Sequence, residues 1–239
     1  MSAVRILEEM ARSYANARTY ADRGVVVTTF TPQGGGHSER RSFRTAFRRP
    51  QAFRYELHGE TSGDDLVIWQ RTPPAKRFWS VEGPVETVDL EMAIAGAAGI
   101  SGGSAVTVPR LLMPELIESW ALTDLVDPAE AGREVVEGVD CVGVRGRHQP
   151  THLTVWLGAD DLLIRKIHQT THLGLDELAK VMGNLPADLV EDAKEMWPPD
   201  VTLDVETETL YFPEKHRAVS DAEFDVTEAT LFAKHQRSE

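Results

Sequence analysis

The sequence predicts an α+β domain, mainly antiparallel β, and three observations carry that expectation. Short apolar runs with period-two alternation follow one another, separated by Gly, Pro and Asp turns. Helical spacing is confined to the first residues and to three later segments. Between Ser42 and Leu57, SFRTAFRRPQAFRYEL reads as a half-buried hairpin. Phe43, Thr45 and Phe47 fall on one side of its first strand, and Arg44, Ala46 and Arg48 on the other. After a turn at Arg49-Pro50-Gln51, Phe53, Tyr55 and Leu57 repeat the pattern, with Arg54 and Glu56 opposite.

The elements follow in order. Val4, Leu7, Met10, Ala11 and Tyr14 recur at helical spacing behind Ser2 as N-cap, and this helix ends between Asn16 and Tyr20. Strands are expected over Gly24–Thr31, Glu39–Arg48, Phe53–Leu57, Leu66–Gln70 and Lys76–Val81, with a turn at Gly34-Gly35-Gly36. Neighbours in sequence pair as a meander. Val88–Ile100, rich in Ala, Leu, Met and Ile, reads as a helix leading into a Ser101-Gly102-Gly103-Ser104 hinge. Pro109–Trp120 is a second helical piece, interrupted at Pro114. Strands resume at Arg133–Glu137 and Asp140–Gly146, then a hairpin from Thr151–Leu157 turns at residues 158–161 into Leu162–Thr170. Leu173–Trp197 reads as a helical insert stopped by Pro198-Pro199, so the insert covers about 173–199. Val201–Phe212 is the last long strand, and Phe224–Phe232 a short edge strand or tail. With no repeat and no long linker, residues 1–239 read as one domain.

Composition narrows the function. Of 239 residues, 38 are acidic and 25 are Lys or Arg, giving a net charge of -13, which argues against nucleic-acid binding. Arg40, Arg41, Arg44, Arg48, Arg49 and Arg54 form a local exception. They either solvate an outer strand face or meet an anionic headgroup or acidic partner. Cys141 is the only cysteine, so no intrachain disulfide forms. No apolar run reaches the ~20 residues of a membrane span. MSAVRILEEMARSYANA is an amphipathic helix and not a signal peptide. That leaves two locations: periplasm or cell envelope if a leader was removed, and otherwise cytoplasm.

No motif assembles catalysis. Neither glycine cluster fits a dinucleotide or P-loop pattern, and no Gly-x-Ser-x-Gly elbow occurs. Cys141 lies mid-strand as a buried thiol. His168 and His172 share a strand face, but no further ligands complete a metal site. The expectation is a non-enzyme with no cofactor and no metal. What remains is apolar surface. Val25, Val27, Phe43, Phe47, Phe53, Tyr55, Trp69 and Trp79 would line one face of the sheet. Burying each contributes roughly 1.5–3 kcal/mol whether the neighbour is protein or ligand, so core and cavity both stand open.

The order of elements, with Phe47–Glu56, Val155–Lys166 and Thr209–Phe224, resembles the LolA/LolB superfamily of outer-membrane lipoprotein-sorting proteins and their LolA-like relatives. The resemblance implies a strongly curved, unclosed antiparallel β-barrel with helices plugging its concave face. It implies a hydrophobic cavity for acyl chains, a lid carrying Leu90, Ile94, Leu111 and Leu112, and a partner that is a lipid or lipidated protein. The absent lipobox cysteine and the 173–199 insert depart from the family pattern. The function expected is therefore a non-enzymatic lipid or lipoprotein carrier of the cell envelope. The alternative is a protein-interaction or sensor module on the same fold, with a self-filled cavity and a partner at its acidic or basic outer surface.

Overall fold

A computed structural model describes residues 1–32, 36–60, 65–148, 150–174, 202–227 and 231. The helical insert expected over Leu173–Trp197 lies, from residue 175 onward, outside the described residues. So do the Gly34-Gly35 part of the first glycine turn and most of the expected tail beyond residue 227.

Helix α1 (Ala3–Ala15) is capped by the Ser2 hydroxyl, which accepts from the Arg5 amide, and it buries Ala3, Ile6, Leu7, Met10 and Tyr14. The strands β1 (Thr19–Pro32), β2 (His37–Arg48), β3 (Ala52–Gly59), β4 (Leu66–Gln70), β5 (Ala75–Trp79) and β6 (Glu86–Val88) pair as neighbours in sequence. Helices α2 (Leu90–Ala97) and α3 (Ser104–Leu112) follow. The chain then forms β7 (Val126–Val136), β8 (Val139–His148), β9 (Thr151–Gly158), β10 (Ile164–Leu173), β11 (Leu203–Tyr211) and the two-residue β12 (Glu214–Lys215). They make a 12-stranded antiparallel sheet in the order β6-β5-β4-β3-β2-β1-β11-β10-β9-β8-β7, with β12 also on β1. The α+β class and the meander halves agree with the sequence. The join between them is β1 against β11, a pairing of Gly24 with Tyr211 through to Pro32 with Leu203.

Three expectations need correction. The sheet is unclosed as expected, with pairing among the described residues ending at the three-residue β6 on one side and at β7 on the other, but it is not strongly curled. Strand β7 starts at Val126, well before Arg133, and carries Pro128. An edge position tolerates a missing donor, and the register shift between Val126 and Ala129 spans it. The second mid-chain helix begins at Ser104 rather than Pro109. Gly103 takes the left-handed N-cap conformation (φ 86°), so the expected hinge is a helix start and Leu112 ends the helix before Pro114.

Register assigns the faces. Tyr20, Asp22, Gly24 and Val26 of β1 pair with Phe47, Thr45, Phe43 and Arg41 of β2. Phe47, Thr45 and Phe43 in turn pair with Phe53, Tyr55 and Leu57 of β3. Apart from the end position at Arg41, these residues form the face on which all three helices sit. One continuous core joins the helical residues Leu7, Met10, Ile94 and Leu112 to Phe43, Phe47, Tyr55, Val155 and Ile167. At its centre Phe43 lies across Gly24, in edge contact with Tyr211 (5.2 Å between centroids) and beside Tyr55 (6.2 Å). A Cβ at Gly24 would stand 2.2 Å from the Phe43 ring and 2.3 Å from the Leu210 carbonyl oxygen. Gly24→Ala therefore has to displace either a buried ring or the β1–β11 ladder. We expect it to lower the free energy of unfolding by about 3 kcal/mol, the upper part of the overpacking range, in urea titration.

Candidate functional site

The residues expected to line a cavity are divided by register. Phe43, Phe47, Phe53 and Tyr55 face the helices and are fully enclosed, with none more than 1 % exposed. Trp79 is half-buried against the same core. Val25 and Val27 point to the opposite face, because Val25 pairs with Ser42 while Gly24 pairs with Phe43. Trp69 also lies on that outer face, packed with Val67, Phe78 and Leu231. Leu90, Ile94, Leu111 and Leu112 are all buried, so α2 and α3 do cover the aromatic strands.

The cover is fastened at identifiable points. The Tyr55 and Ser104 hydroxyls share a hydrogen bond of 2.7 Å at the start of α3. The Gln169 amide donates to the Gly102 carbonyl at 3.3 Å. A Cβ at Gly102 would meet Val26 at 2.7 Å and Thr207 at 2.9 Å, so this turn rests directly on the sheet. Arg49 joins the helix ends. It donates to the carbonyls of Ala17 (3.0 Å) and Leu112 (2.8 Å) and to that of Ala15. Charged donors on the last carbonyls of α1 and α3 satisfy groups that a helix C-terminus leaves open.

Between α3 and the β9–β10 strands lies a hollow of about 250 Å³. Ala98, Val106, Trp120, Leu153, Ile167 and Gln169 are among its lining residues, and Trp120 is stacked on His148 at 4.4 Å. None of the eight expected cavity residues lines it. Trp120 and Leu153 gave no signal beyond ordinary apolar positions, because only the packing of residues 98–122 on β9 and β10 brings them together.

A second feature missed in the sequence is Asp22, buried at a position that should be apolar. Tyr20 donates to its carboxylate at 2.7 Å. Tyr14, 5.4 Å from Tyr20 ring to ring, accepts from the Ile164 amide at 3.0 Å. Burial pushes the Asp22 carboxyl up from 3.8 to about 6, against the opposing hydrogen bond from Tyr20. The visible signal was the phase of YADRGV, which puts Asp22 in step with Tyr20, Gly24 and Val26.

The arginine cluster separates by function. Arg48 pairs with Asp221, donates to the Val219 carbonyl (3.3 Å) and covers the Phe224 ring. Arg54 pairs with Glu56 (2.5 Å) and donates to the Glu223 carbonyl (2.8 Å). Those two hold residues 219–224 across the outer face, where Val219 and Phe224 pack on Ala46 and Ala52. His58 bridges Asp65 (3.0 Å) and Glu56 (3.1 Å), which raise its basicity to about 9 and keep it protonated at neutral pH. His168 contacts Glu206 at 2.7 Å and His172 contacts Asp204, both at the exposed sheet surface. Among the described residues no three His, Cys, Asp or Glu side chains converge as a metal-binding group, and no helix is long and apolar enough to cross a membrane.

No family model matches the chain, and no curated protein matches it. Solved structures similar to it include a DUF1329 family protein from Desulfovibrio piger, at 12 % identity over 96 % of this chain and 97 % of that one, TM-score 0.38. A LolA superfamily protein from Nitrosomonas europaea matches at 11 % identity over 95 % of this chain and 98 % of that one, TM-score 0.33. The Pseudomonas aeruginosa MucA/MucB complex matches at 10 % identity, over 94 % of this chain but 61 % of that one, TM-score 0.44. At these identities and TM-scores the likenesses carry no argument about what this chain does.

The raised Asp22 pKa has a definite sign. The folded chain holds this proton more tightly than the unfolded chain, so the contribution is fully present below about pH 4 and is lost as pH rises through about 6. Asp22→Asn removes the titration. We expect the stability of the unsubstituted chain, minus that of the variant, to fall between pH 4 and pH 7 by up to ~3 kcal/mol. Urea unfolding of both proteins at the two pH values measures it.

Proposed function

We propose that the chain is a non-catalytic binding protein that accepts an acyl chain between its helical cover and the sheet. The observation that carries this reading is the hollow of about 250 Å³ beneath α3, continuous with the helix-covered face and walled by Val106, Trp120, Leu153 and Ile167. Apolar chain entering it leaves water at ~0.8 kcal/mol per methylene. A longer chain requires α2 and α3 to lift from Phe43, Phe47, Phe53 and Tyr55. Among the ties that must break are Tyr55 to Ser104, Gln169 to Gly102 and Arg49 to Leu112. On this reading the ligand is a lipid or the acyl part of a lipidated protein, as in carriers of the cell envelope, and Leu90, Ile94, Leu111 and Leu112 exchange places with it.

A specific observation favours a second reading. The aromatic strands are already filled by the protein's own side chains, which suits an interaction module whose outer surface meets a protein partner. Native mass spectrometry after incubation with palmitate and with a diacylated lipopeptide separates the two. A carrier gains the mass of one ligand, and Val106→Phe, which fills the hollow, abolishes the gain while retaining the circular dichroism of the parent. Unchanged mass with both ligands rules the carrier out.

A further inference from the structure

The outer face of the sheet carries a charge arrangement that the acyl-chain reading does not use. Arg23 of β1 and Arg44 of β2 are direct cross-strand partners, and both are exposed on the face away from the helices. Like charges directly opposite each other destabilise a sheet. Neither has an ion pair among the described residues. The acid nearest in register, Glu56 opposite Arg44, gives its oxygens to Arg54 (2.5 Å) and His58 (3.1 Å). Glu214 and Glu223 are paired with Arg217. Arg23 is held in place by Phe212, whose ring centroid lies 5.6 Å from its guanidinium carbon and whose amide donates to the Arg23 carbonyl at 2.8 Å.

These two guanidinium groups stand between adjoining hollows of about 380 and 400 Å³, each lined by Arg23, Arg44 and Glu56. The first is walled by Arg54 and by Arg217 with its paired Glu214 and Glu223, under the segment that Arg48 and Arg54 hold down. The second adds Ser42 and the protonated His58 on one side and Val25 and Phe212 on the other. In a chain of net charge -13, this is a concave, locally cationic place with an apolar wall.

We propose that Arg23 and Arg44 form an anion site for a phosphate group, whose several oxygens can take N–H donors from both guanidiniums at once. Bridging by one phosphate removes the like-charge repulsion, and Val25 with Phe212 receives the carbon part next to it. The shared chemistry is a phosphate monoester or diester, which a soluble ester or a phospholipid headgroup can supply. The site lies on the face opposite the acyl hollow and stands whether or not that hollow takes lipid.

The test uses the full chain, with glycerol 3-phosphate titrated calorimetrically and with flotation on phosphatidylglycerol-containing against pure phosphatidylcholine vesicles. At least one phosphate probe is expected to bind. Arg23→Gln and Arg44→Gln should each weaken it on the order of tenfold, the value of one charge-assisted donor set. Arg133→Gln, an exposed charge elsewhere, should leave it unchanged. Binding in the vesicle arm alone identifies a headgroup, and binding in the ester arm alone a soluble phosphate. As a fold control, Arg44→Gln should melt no lower than the parent in phosphate-free buffer. Failure of both probes, or equal weakening by Arg133→Gln, overturns the site.

Discussion

Phe43 lying over Gly24 is the contact on which the arrangement of the molecule depends. Only a residue without a side chain lets the ring reach the β1 backbone, where it meets Tyr211 from the far end of the chain and Tyr55 from β3. The ring sits where the N-terminal meander and the C-terminal strands are joined by β1 and β11. Any shift by one residue would turn Phe43 to the outer face and bring Arg44 inward. Register, core and the position of the helices are thus set by one close approach.

From that contact the polar features follow. Because β1 presents Tyr20, Asp22 and Gly24 to the helices, a carboxylate is carried into the core and must lean on the Tyr20 hydroxyl. Its raised pKa is the electrostatic consequence of a register chosen for packing. Tyr55 and Tyr14 use their hydroxyls similarly, one against Ser104 and the other against the Ile164 amide. These last two bonds each fix a helix on the sheet.

The same register gives the outer face its character. Alternation sends Arg23, Arg44, Arg54 and Glu56 outward together, and the residues after β11 return across part of them. Arg48 and Arg54 are consumed in holding that return. Arg23 and Arg44 are left facing each other, which turns a row of solvated charges into two different structural populations.

The local grammar of the chain was legible. Period-two alternation placed Phe43, Phe47, Phe53 and Tyr55 on one strand face, Leu66–Gln70 was a strand by its apolar run, and helical spacing with Ser2 marked α1. These depend on neighbours in sequence, and local sterics decide them. Two other kinds of fact were not legible. Val25, Val27 and Trp69 were grouped with the aromatic face, because alternation within a strand does not say which phase of one strand matches which phase of the next. Gly103 opened a helix where a hinge was expected, because Gly102 just before it rests on Val26 and Thr207 of the sheet. The residues around the hollow come from the chain just after α2, from α3, from residues 119–122 and from β9 and β10, which lie apart in sequence. What the sequence determined by itself was which residues alternate and which repeat at helical spacing. The pairing of Gly24 with Tyr211, which closes two meanders into one open sheet and so decides what is buried, exists only in the tertiary structure, because long-range strand pairing is selected by the packing of the whole core.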